Sequence, residues 1–202
     1  LGIERLSSYM SRFGFGAPTG IDLAHEKHGV IPTPTWKRKT YADGQWRIGD
    51  TYNTSIGQFG FQVTPIQAVR AVASIANGGT LHTPRLVGGA GAADAEAVDI
   101  SISPEHLKIV REGMRQAVTD GTAKGLSMDA LHVAAKTGTA EVGRNNQFIN
   151  SWVTGFFPYE SPRYAFTVVM ERGPRTNTIG GVFVMRRMFE WIYAHRRAYL
   201  VD

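Results

Sequence analysis

The feature that most constrains the fold is a change of period. Up to about residue 130 the apolar residues recur every three or four positions; from His132 they recur every second one. His132–Glu141, Ser151–Phe157 and Arg163–Glu171 each alternate in the manner of half-buried strands. In the last, Tyr164, Phe166, Val168 and Met170 face one way, and Ala165, Thr167 and Val169 the other. The link from Pro158 to Pro162 is short, so the second and third strands are expected to form an antiparallel hairpin. An amphipathic helix then follows, with Val182, Met185, Met188, Phe189 and Ile192 inward.

The first part reads as helices and loops. Ile3, Leu6, Met10 and Phe13 make one buried stripe, stopped by Gly14 and Gly16. "APTGIDL" and "HEKHGVIPTPTW" read as loops around short extended pieces, and residues 38–47 as a basic loop with a D-G turn. Thr64, Pro65 and Gln67 open a second helix, the Thr and Gln as a capping box. Its expected inner face is Ile66, Val69, Val72 and Ala73, and Asn77-Gly78-Gly79 ends it. A third helix starts at Ser103-Pro104, with Leu107, Val110, Met114 and Ala117 as its stripe, and closes at Asp120-Gly121. Residues 87–97 are low in complexity and are expected to form a mobile surface loop. No repeat and no domain boundary is visible. The expectation is one α+β unit: helices and loops over 1–130, then three strands and a terminal helix over 131–202.

Composition excludes more than it selects. The 202 residues carry a formal charge of +5, which permits an anionic partner without choosing one. With no cysteine there is no disulfide, no thiolate nucleophile and no Cys-ligated zinc. No apolar run reaches the roughly 18 residues of a spanning helix. The chain opens at Leu1 inside a helical pattern, as a piece of a longer polypeptide would.

"AAKTGTAEV", residues 134–142, carries the sharpest chemistry. On a strand edge Lys136 supplies a fixed positive charge, and Thr137 and Thr139 supply hydroxyls. Gly138 leaves room for a ligand backbone, and the Thr139 N–H could face a developing oxyanion. That set suits a peptide or acyl substrate bearing a carboxylate. Alone, the triplet is a weak signal and reads first as an ordinary strand with a glycine kink. Elsewhere the signals are weak. Arg186, Arg187, His195, Arg196 and Arg197 read as a solvated helix face, without the aromatics or motifs of a nucleic-acid binder. His25 and His28 lack a third metal ligand, His132 stands near Lys136 with no ordered partner, and nothing marks Asp22 and Glu26 as a catalytic pair.

In order along the chain stand "RFGFGAPTGIDL", "IGQFGFQVTPIQAVRAVASIANGG", "AAKTGTAEV" and "SWVTGFFPYESPRYAFTVVME". Together they resemble the transpeptidase domain of class B penicillin-binding proteins over nearly the whole chain. The resemblance implies a serine β-lactamase/D,D-transpeptidase-like fold and makes Lys136–Thr139 the K-[TS]-G element that accompanies S-x-x-K. It implies acyl transfer from peptidoglycan stem peptides during cell-wall elongation, with acylation by β-lactams and no cofactor or metal. In that scheme Lys136 and Thr139 are catalytic, and Lys136, Thr137, Gly138, Thr139 and Ala140 bind substrate. The implied partners are the remainder of the domain and a membrane glycosyltransferase of the elongation machinery, with no nucleic acid. The implied location is the outer face of the bacterial cytoplasmic membrane, held by an upstream anchor.

One departure limits what the chain can do. None of its serines begins S-x-x-K, and there is no S-x-N; Thr51-Tyr52-Asn53 is a misplaced threonine version. The nucleophile is expected upstream of Leu1, which makes this an incomplete, C-terminal portion, inactive by itself. A second departure is Phe59, where relatives have Gly directly after the Gln. Two alternatives stay open: a sensor or interaction module on the same fold, and a D,D-carboxypeptidase or β-lactamase.

Overall fold

The computed structural model describes residues 1–87, 97–176 and 179–200. Most of the low-complexity stretch, residues 88–96, lies outside them. The contacts divide the chain into two compact units, Leu1–Ala71 with Leu81–Val98, and Val72–Thr80 with Asp99–Asp202. The sequence shows no such boundary because it falls inside a helix rather than in a Gly- or Pro-rich linker.

The first unit holds α1 (Ile3–Arg12), α2 (Pro34–Thr40), α3 (Ile48–Ser55) and the first turns of α4 (Pro65–Ala76). Neither α2 nor α3 is expected from the sequence. The apparent Pro-rich loop is in fact a helix start: the Thr33 hydroxyl accepts the Trp36 N–H at 3.1 Å, with Pro34 at the first helical position. Three hydrogen bonds hold α3. The Asp50 carboxylate takes the Arg47 N–H and the Lys37 ammonium, each at 2.7 Å, and the Trp46 indole donates to the Thr51 hydroxyl at 2.9 Å. The α4 capping box forms as expected, with Thr64 and Gln67 exchanging bonds of 3.0 and 3.2 Å.

The inner face of α4 differs from the expected one. Gln67, Ala71, Val72, Ser74 and Ala76 are buried, while Ile66 and Val69 are only half-buried. Fully enclosed, Gln67 donates to the Ala17 and His28 carbonyls at 2.7 and 2.9 Å, so a satisfied polar group takes the face assigned to Ile66 and Val69. Phe59 adopts the left-handed backbone (φ 58°) that a glycine would enter freely, at a cost of about 1–2 kcal/mol. Its ring stacks on Tyr41 at 6.0 Å and meets Trp36 and Trp46 edge-on, each at 5.8 Å. Such pairs contribute about 0.5–1.5 kcal/mol each, enough to offset the strain.

The second unit contains α5 (Pro104–Thr119), the strands β3 (Ala134–Val142), β4 (Phe148–Phe157) and β5 (Tyr164–Pro174) and α6 (Gly181–His195), with 3-10 turns at Lys124–Leu126, Arg144–Asn146 and Arg197–Tyr199. A short ribbon pairs β1 (Thr80–Leu81) with β2 (Val98–Asp99). The antiparallel order is β3-β4-β5, which bears out the hairpin and the α+β class. The strands run a few residues past their expected bounds at the ends joining β3 to β4 and β5 to its loop, because backbone pairing continues beyond the alternating stretch: Val142 stands opposite Phe148, and Phe148 opposite Pro174.

Both faces of this sheet are covered. Val133, Ala135, Val153, Phe166, Met185 and Phe189 form one cluster; Val72, Ala76, Met114, Ala134 and Phe156 form another. Phe189, fully enclosed, meets Phe157 at 5.0 Å and Phe166 at 5.5 Å, both nearly edge-on. Two positions expected inward are exposed: Val110 at 45% and Met188 at 49%. The faces of their helices are set instead by Val118 on α5, and by Met185 and Phe189 on α6.

Candidate active site

The site is built where β3 leaves the core. Ala134 and Ala135 are fully buried, Lys136 is exposed, and Thr137 and Gly138 are half-buried. Apolar residues thus anchor the strand immediately before the polar stretch. At its far end Glu141 is clamped by Arg175 (2.8 Å) and by the Asn146 amide (3.0 Å). Register places Thr137 opposite Val153, Gly138 opposite Trp152 and Thr139 opposite Ser151. On the described residues β3 pairs only with β4, so its other edge is open.

Lys136 Nζ donates to the Thr137 carbonyl at 2.5 Å, and among the described residues it forms no ion pair. The charge is therefore held close to the strand without being neutralised. The Thr137 hydroxyl lies 2.6 Å from that of Thr122, a residue on the segment after α5. Thr137, Gly138 and Thr139 line an open cleft of about 470 Å³, together with Thr122, Ser151, Phe183 and Arg186. Of the five expected site residues, three line this cleft; Lys136 and Ala140 do not. The alternation of the strand separates them, since successive side chains leave on opposite faces.

Gly138 is informative because nothing in the fold demands it. Its backbone is outside the left-handed region, and a Cβ would meet only Trp152, at an ordinary 3.4 Å. Gly155, on β4, is the reverse: a Cβ there would strike the Ala134 carbonyl and the Phe166 ring.

The positive end of α6 also reaches the cleft. Ser151 Oγ accepts the Gly181 N–H at 3.1 Å. Arg186 lines the cleft but is engaged elsewhere, its Nη1 donating to the Ser127 carbonyl (2.6 Å) and its Nε to Glu190 (2.9 Å). The Arg186 hydrogen bond is the main reason the Glu190 carboxyl sits below its ordinary value; burial opposes it and Arg187 adds to it.

Thr122 and Ser151 are cleft hydroxyls that sequence reasoning missed, and Arg186, read from the sequence as part of a solvated helix face, also lines the cleft. A hydroxyl at a helix end, 15 residues from its partner, leaves no periodic signal. His132 stays out of the cleft, its Nδ1 2.5 Å from Glu160 Oε1. Burial pushes that carboxyl up, but the His132 hydrogen bond, a backbone N–H and the nearby His132 and Arg115 charges together outweigh it, and the Glu160 value falls below normal. The C-terminal basic residues are dispersed: Arg187 pairs with Glu190, His195 stacks on Trp191, and Arg197 lies over Tyr193. Asp22 and Glu26 serve as loop clips. Asp22 accepts the Leu86 and Val87 N–H groups, and Glu26 accepts Thr19 and Gly20.

The strand edge is thus open and bears an unneutralised lysine, two threonines and a glycine free of any packing duty. The chain belongs to the penicillin binding protein transpeptidase domain family, whose model matches residues 1–183. Several of its relatives are of the penicillin-binding protein 2 kind, the kind to which "TGIDLAHEKHGVIPTPTWK" points. It is 33% identical over 195 residues to the peptidoglycan D,D-transpeptidase MrdA of Acinetobacter baumannii, covering 86% of this chain and 29% of that protein. Among solved structures it superposes on the penicillin-binding protein PBP2 of Helicobacter pylori with a TM-score of 0.80, at 35% identity over 96% of this chain and 36% of that one. A complex between PBP2 and MreC from the same organism gives 0.81, 33%, 99% and 37%. The chain thus spans about a third of the length of the relatives it matches.

Proposed function

We propose that this chain is the C-terminal part of the transpeptidase domain of a peptidoglycan D,D-transpeptidase that cross-links stem peptides during cell-wall elongation and is acylated by β-lactams. The observation that carries this reading is Gly138: a residue that neither backbone nor packing requires, between two threonines on an open strand edge. What a glycine permits there is the close approach of a substrate backbone.

In this scheme the serine of an upstream S-x-x-K attacks the D-Ala-D-Ala carbonyl, D-Ala leaves, and the amine of a second stem resolves the acyl-enzyme. Thr137 and Thr139 take the substrate's terminal carboxylate. Lys136 supplies positive potential, and the Thr139 N–H is one arm of the oxyanion hole. The direction of the backbone favours this last role. The Thr137 carbonyl turns to the Lys136 ammonium, and in a strand the N–H and C=O of one residue point to the same edge. Two residues on, Thr139 shares that direction. Ala140 continues the edge along which the substrate would lie.

The proposed partners are the rest of the domain, a membrane glycosyltransferase of the elongation machinery and, by extension from the H. pylori complex, an MreC-like protein. The proposed location is the outer face of the cytoplasmic membrane. No helix among the described residues is long and apolar enough to cross a membrane, so this reading assigns the anchor to another part of the polypeptide.

The test is labelling with a fluorescent penicillin. The full-length protein should give a covalent band on a denaturing gel and the isolated 202-residue chain none. A labelled isolated chain would overturn the assignment of the nucleophile, and an unlabelled full-length protein would overturn the acyl-transfer reading in favour of a non-catalytic module.

A further inference from the structure

We infer that Thr122 is a positioning residue for the carboxylate end of this site, acting through the Thr137 hydroxyl. The inference rests on the carboxylate-binding role proposed for Thr137.

The two Oγ atoms are 2.6 Å apart, so one hydroxyl donates and the other accepts. A carboxylate offers only acceptors. It can therefore bind Thr137 only when Thr137 directs its own proton outward, and that leaves Thr137 Oγ to accept from Thr122. A bound carboxylate thus selects one direction for the whole chain: Thr122 O–H to Thr137 Oγ, then Thr137 O–H to the anion. Each bond polarises the next.

The fold holds both hydroxyls in place. Thr122 stands between Gly121, where a Cβ would lie 2.8 Å from Ala117 Cα, and Ala123, which is fully buried and whose N–H donates to the Ala117 carbonyl at 2.8 Å. Thr137 is fixed opposite the fully buried Val153. The pair is therefore set before any ligand arrives, which spares the cost of ordering a free hydroxyl on binding.

The experiment is a double-mutant cycle on the full-length protein, following the acylation rate with a penicillin that bears its free carboxylate and with the same penicillin esterified. Thr122→Val should slow acylation by the free acid about threefold to tenfold, the range of one hydrogen bond. Thr122→Ser should restore it, and the ester should show no Thr122 effect. In a Thr137→Val background Thr122→Val should add nothing, since its route is gone. A Thr122→Val loss that persists undiminished in that background, or a serine variant as slow as the valine one, would overturn the inference alone. Silence of Thr137→Val itself would overturn the role proposed for Thr137, and this inference with it. Melting temperatures of all variants should agree; a Thr122→Val loss accounted for by unfolding would assign Thr122 to the fold and overturn the inference.

Discussion

Replacing Gly138 by alanine separates a glycine kept for the fold from one kept for a ligand. The added methyl would sit 3.4 Å from the Trp152 Cβ, an ordinary contact, and no left-handed backbone is forced on the alanine. Losing glycine's freedom in the unfolded chain stabilises a compatible site by about 0.4–1 kcal/mol. For a domain of this size that shifts the melting temperature upward by about 2–4 °C per kcal/mol. The same methyl would project from the strand edge where the substrate backbone is proposed to lie, so acylation should fall by about tenfold or more, an effect of the size expected from a displacement of about 1 Å. The assay pairs thermal unfolding with the second-order rate of labelling by a fluorescent penicillin, both on the full-length protein. A variant that melts well below the parent would refute the claim that packing leaves this position free. A variant with an unchanged labelling rate would refute the claim that anything lies against it. Gly155→Ala is the matching control: with Ala134 and Phe166 in the way, it should destabilise by about 1–3 kcal/mol by overpacking.

Three further outcomes are expected. Phe189→Ala, which removes a fully enclosed ring touching Phe157 and Phe166, should cost about 3–5 kcal/mol in urea unfolding. Lys37→Met should cost about 1–3 kcal/mol, because it removes the ammonium from a half-buried Asp50 and leaves it only the Arg47 N–H. Asp50 also gives a pH dependence. Burial pushes its carboxyl up, but the Lys37 and Arg47 bonds outweigh that and hold it below its ordinary value. A depressed folded value adds stability that is full above the unfolded carboxylate range, about 4, and is lost as pH falls through the folded value. The stability gap between the parent and Asp50→Asn, measured by urea unfolding, should therefore be widest near neutrality and shrink in acid.

The sheet and the K-T-G-T run on its first strand were legible because each is written in consecutive residues. Alternation names a strand whichever way its two faces are covered, and β3 to β5 carry core residues on both faces where Ala134, Ala135, Val153, Phe156 and Phe166 lie. The two short helices were not legible. In α2 the Pro34 that opens the helix looks like a loop residue, and α3 (IGDTYNTS) has no apolar stripe at all, its shape coming from Asp50 and Thr51 contacts with Lys37, Arg47 and Trp46. The inner faces of α4, α5 and α6 shifted for a related reason: periodicity gives a stripe, but partners decide which edge of it is buried, as the enclosed Gln67 and the exposed Val110 and Met188 show. Within the cleft, Thr137 to Thr139 could be named from one run. Thr122 and Ser151 could not, because only the turn after α5 and the β3–β4 register bring them to the same cleft.

The central claim is that Lys136–Thr139 form the electrostatic wall of an acylation site. Its most direct test is the acylation rate of the full-length protein carrying Lys136→Ala, read beside its melting temperature. The side chain is exposed and makes no ion pair among the described residues, so the melting temperature should hold. The rate should fall by about 10²–10³, the range for losing one preorganised electrostatic contact to a reacting centre. An unchanged rate would remove Lys136 from the site, and with it the reading of this strand as one wall of a transpeptidase cleft.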